Sequence, residues 1–529
     1  MQKIIIAFIL SLSFIGCNSQ STSSSVDTNH HSAIPATTKA WKLSDEQFIP
    51  AAMSMTVIHP RPDSETNSWA RNRNAYPGLR YELPIGVQGG AWPFFYQIID
   101  GPNGASIGEM YGEENYGVIT WTAPSVEGEH NFTVRVTDQE YHYVDINWSV
   151  NVNKATFVFL DKDNGNDTND GTLEAPLKTF AGMYHVDTDD TTYAQKILVV
   201  RESNESYQLI GHTANNGNVR LNSTKKPIVW IAYPDESPVF DASQAKILTE
   251  KPYDDFYMGG IRFEHGRQDV NNAHFFWVAA VGDRITFFQN YFYDLGPGVK
   301  GNDNTGPVFI SRTKSESNIS VNAPKHYILA KQNTYDEIRN KGYNGQYFEF
   351  YTTKYVLIEE EVAKNSDSSA GWYAKGAISH TTMRANTAVD NVYGQQMGGS
   401  YGEESGEVPH DFEFCYNNIH TQDSTVAYPA FMMARSNYYL GEGYATSIYR
   451  NTVTNGIAKV RFYGADLYHL NGNVFNNGQA NAEIFDSEYE ENLIATGDET
   501  FVDENHSLTG EYIQYKGIRG HEIVMPLSS

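Results

Sequence analysis

The sequence predicts an all-β chain in which a β-sandwich is followed by a long parallel β-helix. Three observations carry this: period-2 runs broken by turn residues between Pro50 and Asn153, a dense Asp/Asn/Gly turn that opens a new region after Ala155, and short apolar strands ending in Asn that recur to the end of the chain.

At 529 residues and 40% hydrophobic content the chain exceeds what one core holds, since single cores stop growing near roughly 250–300 residues. The opening stretch MQKIIIAFILSLSFIGC has an early Lys, an apolar run from Ile4 to Ile15, and then Gly-Cys. That run is shorter than the roughly 20 residues of a membrane span, so residues 1–16 read as an export signal. The sequence NSQSTSSSVDTNHHSAIPATTKA that follows has almost no large apolar residue, and 17–49 reads as a flexible tether.

Residues 50–153 form the expected sandwich. Ile119-Thr120-Trp121, a Pro/Gly turn, and Phe132 to Asp138 make a period-2 hairpin, and VDINWSVNVN adds another alternating strand. From residue 154 to 529 the β-helix is expected. Its opening, TFVFLDKDNGNDTNDGTLEAPLKTFAGM, reads as strand and turn; the order of its acids does not match a helix-loop-helix calcium site. The repeat then runs through ITFFQNYF (285–292), YILAKQNTY (327–335), TTMRANTAV (381–389), FEFCYNNI (412–419), TSIYRNTV (446–453) and LYHLNGNVF (467–475). YVLIEEEVA (355–363) fits with Glu361 in place of Asn. Intervals from the low twenties to the forties suit about three strands per turn with loops of variable length, whereas a β-propeller needs a period nearer 40–45 residues. Asn at a fixed place in each rung is expected to stack as an internal ladder.

Three resemblances attach to these residues. Phe14-Ile15-Gly16-Cys17 resembles a bacterial lipobox, which implies a lipid on Cys17, contact with the membrane through it, and an outer-membrane or secreted location; Asn18 stands where Asp would resemble inner-membrane retention. The 50–153 segment resembles the Ig- or cadherin-like modules of bacterial surface proteins. The region from 154 resembles right-handed parallel β-helix proteins of the pectate-lyase-like superfamily, so the implied fold is an Ig-like sandwich on a right-handed β-helix.

Composition bounds the function. With Cys17 assigned to the lipid, Cys415 is left alone and no intramolecular disulfide is available. A net charge of −26 argues against nucleic-acid binding, and a monomer is expected. Within that acidic chain, residues 310–384 carry ten basic against eight acidic side chains, the one long region that is not acidic, while Glu403 to Asp423 holds six acids and no Lys or Arg. A polyanion would sit over the first region, and exposed members of the 13% aromatic side chains would stack on sugar faces.

The basic region holds the candidate chemistry. Glu349 precedes Lys354 by five residues, and Lys354 precedes Lys375 by 21, a spacing that resembles the β-helical lyases that include chondroitinase B and the alginate lyases. That resemblance implies Lys354 as base, Lys375 where the family has Arg, and Glu349 as one calcium ligand, with Tyr347 at the position of its acidic partner. Elimination across a uronate removes a weakly acidic proton beside a carboxylate, so a cation or calcium must neutralise that carboxylate. In a strand reading Ala374 points inward while Tyr373 and Lys375 point outward. Tyr373 or His380 would protonate the leaving oxygen, and Arg384 would assist. Pro409-His410-Asp411 resembles part of the signature of β-helical mannuronan epimerases, with Val408 in place of its first Asp.

The expected function is therefore an exported lyase that degrades an acidic polysaccharide. Two alternatives stay open: a glycoside hydrolase using carboxylates among Glu359, Glu360, Glu361 and the 402–414 acids, and a non-catalytic glycan-binding surface protein. Cys415, among apolar neighbours, reads as a small buried residue.

Overall fold

The computed structural model describes residues 51, 53–180 and 191–209 and, from 219 to 526, chiefly strands and the tight turns joining them. The export signal, the lipobox Cys17 and the tether lie outside the described residues.

The first module is a β-sandwich. A four-stranded sheet contains Gly128–Thr137 and Tyr143–Val152, paired antiparallel, and a three-stranded sheet contains Val118–Thr122. The alternation in the sequence is what closes it: Phe132, Val134 and Val136 turn inward with Ile146, Trp148 and Val150, and their core takes Trp121 from the second sheet. Phe132 stacks on Trp148 at 4.9 Å, and Trp148 Nε1 donates to the Tyr81 hydroxyl at 3.3 Å.

From Phe157–Leu160 onward the strands coil into a three-sided parallel β-helix, with sheets of twelve, eleven and ten strands among the described residues. Successive rungs stay in register; Ile285, Ile328, Val356, Thr381 and Phe412 align along the twelve-stranded sheet. The turn after Phe157–Leu160 consumes its own acids: Asp161 accepts the amides of Asp163 and Asn164, and Asp167 those of Lys178 and Thr179. The interior carries an aromatic stack of Phe240, Phe263, Phe292 and Tyr335 at 5.3–5.8 Å spacing. The next two rungs supply only Ala363 and Ala388 in that register, and Tyr347 and Trp372 fill the space.

The Asn ladder forms at the sequence positions expected. Asn290, Asn333, Asn386, Asn417 and Asn451 are buried, each donating its amide to the carbonyl of a neighbouring rung. Asn473 lies outside the described residues. Glu361 takes one rung of this ladder, accepting from the Asn333 backbone at 3.0 Å, from its Nδ2 at 2.8 Å and from the Tyr335 hydroxyl at 2.6 Å. Burial pushes its carboxyl up to about 8. A carboxyl raised above its unfolded value of roughly 4.3 contributes stability that is complete below that value and is lost as pH rises through about 8. Glu361→Gln, which keeps the oxygen acceptor, should therefore melt progressively higher than the parent as pH is raised from about 5 to 8.5, by on the order of a few kcal/mol at the upper end. Parallel melting curves across that range check this.

The sandwich packs on the outer face of the twelve-stranded sheet, where Ile58 meets Leu329 and Leu357, and Trp92 meets Tyr416 at 4.5 Å. Gly86 allows this approach: a Cβ there would lie 3.0 Å from Leu329.

Candidate functional site

The strand Phe348–Tyr351 of the ten-stranded sheet ends at a sharp corner, and Lys354–Glu359 of the twelve-stranded sheet begins beyond it. Lys354 is thus at the corner itself. It is half-exposed, aligned with Ser379 on the next rung, and its carbonyl accepts the His326 amide at 3.1 Å.

One residue further along, every rung here has a non-glycine residue in the left-handed region: Tyr327, Tyr355, His380 and Asp411, with φ of 48°, 64°, 52° and 60°. Such backbone costs about 1–3 kcal/mol per residue and persists only where the surroundings hold it. Here the side chains of successive rungs meet. The Tyr327 and Tyr355 rings lie 5.3 Å apart, Tyr355 stacks on His380 at 4.5 Å, and His380 Nε2 sits 3.3 Å from the Asp411 carboxylate. Arg61 of the sandwich closes the upper end, its guanidinium 3.9 Å from the Tyr327 ring centre. The carboxylate fixes the imidazole, and the half-exposed edges of the stacked rings border Lys354.

Tyr373 lies on the adjacent ten-stranded sheet. Ala374 is buried in the core and Tyr373 is half-exposed, as the alternation requires. The Lys375 backbone pairs with Tyr351 and Ser400, but its side chain lies outside the described residues. The structure therefore gathers Lys354 and His380 at one corner and places Tyr373 and Lys375 on the neighbouring sheet. Sequence reading missed Tyr327 and Tyr355, and it named Asp411 in an epimerase-like signature without linking it to His380. Their signal was recurrence one residue before the first inward residue of each rung, but none is the Gly that usually marks positive φ.

Two expected roles require correction. Arg384 does not face a groove: it is buried under the sandwich, where Nη2 donates to the Val87 carbonyl at 2.6 Å and pairs with Glu359 at 3.2 Å, with Phe94 beneath the guanidinium. Burial draws its pKa down, and Glu359 together with Tyr96, Cys415 and Glu413 more than offsets this and leaves it raised. Glu349 is fully buried, and its register neighbours are Phe309 and Tyr373. Tyr347, at the position of the second acid, packs into the core on Trp372. Glu349 is thus withdrawn from solvent, and Tyr347 adds no carboxylate beside it. Among the described residues, the cluster with metal-like spacing is Asp138, Glu140 and His142, at the far hairpin of the sandwich.

Of the carboxylates offered for hydrolysis, several of those described are held inside the structure. Glu359 is buried beside Arg384 and 3.8 Å from Lys331, Glu361 is inside the coil, and Glu413 is buried, accepting from Thr382 at 3.1 Å. Glu360 is largely buried, its carboxylate 3.6 Å from Lys331. Residues 401–409 lie outside the described residues. Cys415 is buried, and burial holds its thiol well above the usual range, which rules against a nucleophile.

No protein-family model matches the chain, and no curated protein matches it. Among solved structures it is similar to a rhamnogalacturonan lyase at 13% identity, covering 62% of this chain and 75% of that one with a TM-score of 0.30. A GH136 lacto-N-biosidase from Eubacterium ramulus shares 10% identity over 66% of this chain and 67% of that one, TM-score 0.30. A family 28 exopolygalacturonase from Yersinia enterocolitica shares 10% over 81% and 97%, TM-score 0.28.

Proposed function

We propose that this chain is a carbohydrate-active enzyme that cleaves a uronate-bearing polysaccharide by β-elimination at the Lys354 corner, exported and held at the membrane by a lipid on Cys17. One observation carries the choice of reaction. Of the described carboxylates offered for a hydrolase, Glu359, Glu361 and Glu413 are withdrawn from solvent, Glu360 is largely so beside Lys331, and Asp411 is engaged by His380 at 3.3 Å, while Lys354, Tyr355 and His380 are half-exposed at one corner and Tyr373 on the adjoining sheet.

In this reading the Lys354 amine takes the proton from the carbon beside the uronate carboxylate. The electron pair forms the new carbon–carbon double bond, the glycosidic carbon–oxygen bond breaks, and Tyr373 or His380 gives a proton to the departing oxygen. Lys375 supplies positive charge to the carboxylate as the enolate develops. No step runs through calcium, so EDTA should leave product formation unchanged; a loss restored by added calcium would contradict the reading of Glu349.

The test is incubation of the mature protein with alginate, pectate, ulvan, glycosaminoglycans and carrageenans, following near-ultraviolet absorbance and reducing ends together. Absorbance that rises with the reducing ends supports elimination. Reducing ends alone would transfer the reaction to a hydrolase, and neither would leave a binding protein.

A further inference from the structure

A separate cleft of about 370 Å³ lies at the seam between the two modules, on the first rungs of the β-helix and away from the Lys354 corner. Its size is that of sites that bury small ligands, roughly 300–1,000 Å³. The floor is one outward row of the twelve-stranded sheet, Val199, Ile231, Gly259 and Phe288, which are register partners. Gly259 lets the Tyr257 ring lie over the centre of the row; a Cβ there would come within 2.7 Å of that ring.

The walls are polar and already balanced in charge. From the sandwich, Arg80 pairs with Glu82 at 2.9 Å and crosses the seam to Asp235 at 2.6 Å. On the β-helix side Glu236 is held by Arg201, and Arg201 packs over Tyr233 at 4.0 Å. Arg71 spends its guanidinium on the carbonyls of Asn74 and Glu82. The cleft and its partners therefore set three carboxylates against three guanidiniums, which leaves no surplus cation for an anion, while the paired groups keep lone pairs and N–H bonds that hydroxyls can use.

We propose that this cleft binds a neutral, hydroxyl-rich sugar unit, with its C–H face on Ile231, Phe288 and Tyr233 and its hydroxyls between Arg80, Glu82 and Asp235. The site is distinct from the elimination corner, and its chemistry is complementary: one selects uronate, the other rejects it. Two points of attachment on one chain would raise the effective concentration of a mixed polysaccharide at the corner.

The test is saturation-transfer NMR on the mature protein with neutral mono- and disaccharides and, separately, glucuronate and galacturonate. Neutral sugars should receive saturation and uronates should not. Ile231→Trp, which fills the floor, and Arg80→Ala, which leaves it open, should each weaken binding at least tenfold, with unchanged melting curves as the control for folding. Lys354→Ala should bind as the parent does, so loss of catalysis and loss of this site can be told apart. Absence of transfer to every neutral sugar, preference for a uronate, or binding untouched in both folded variants would overturn the proposal.

Discussion

Lys354→Ala should lower turnover on the acidic polysaccharide by about 10²–10⁴, the range expected for removal of a general base, with little change in KM. Arg at this position should not rescue it, because a guanidinium stays protonated. The effect is expected to be chemical: Lys354 is half-exposed, and its carbonyl, which accepts the His326 amide, survives the substitution. Melting temperature should move little. His380→Gln, which keeps a polar side chain but cannot give a proton to the leaving oxygen, should cut turnover less. A Lys354→Ala protein with parental turnover would remove the corner from the mechanism.

Arg384→Ala should have the largest effect on stability, a loss of about 3–5 kcal/mol, the usual cost of stripping one partner from a buried ion pair. The reason lies in the module interface. Arg384, Glu359 and Lys331 are all withdrawn from water between sandwich and sheet, and removing the guanidinium strands Glu359 and the Val87 carbonyl. The double variant Glu359→Leu with Arg384→Met should recover most of the loss, since two apolar side chains need no counter-ion and Lys331 keeps Glu360 at 3.6 Å. Denaturant unfolding read at the earliest transition, with limited proteolysis of the seam between modules, checks both. A single variant as stable as the parent would mean that the interface is not sealed as described.

The coil was legible because its signals are local. The Asn of each rung recurs next to an apolar strand, so the ladder from Asn290 to Asn451 could be located, and even Glu361 was recognisable as an occupant of that position. Ala374 inward and Tyr373 outward followed from alternation alone. The interface was not legible, because alternation separates the two faces of a strand but cannot tell which outward face another module covers. Arg384 reads as a surface cation for that reason; its partner Val87 is 297 residues away. The spacing of Lys354 and Lys375 concealed the corner as well. Register aligns Lys375 with Tyr351, not with Lys354, so the two lysines start on different sheets and only the turn between them brings the sheets' edges together.

The most direct test of the central claim is digestion of the active polysaccharide in water enriched in heavy oxygen, with the products read by mass spectrometry. Elimination breaks the chain without adding water, so the fragments should carry no heavy oxygen from cleavage and should end in an unsaturated uronate. Heavy oxygen incorporated at each new end, with saturated products, would contradict the account and make the enzyme a hydrolase.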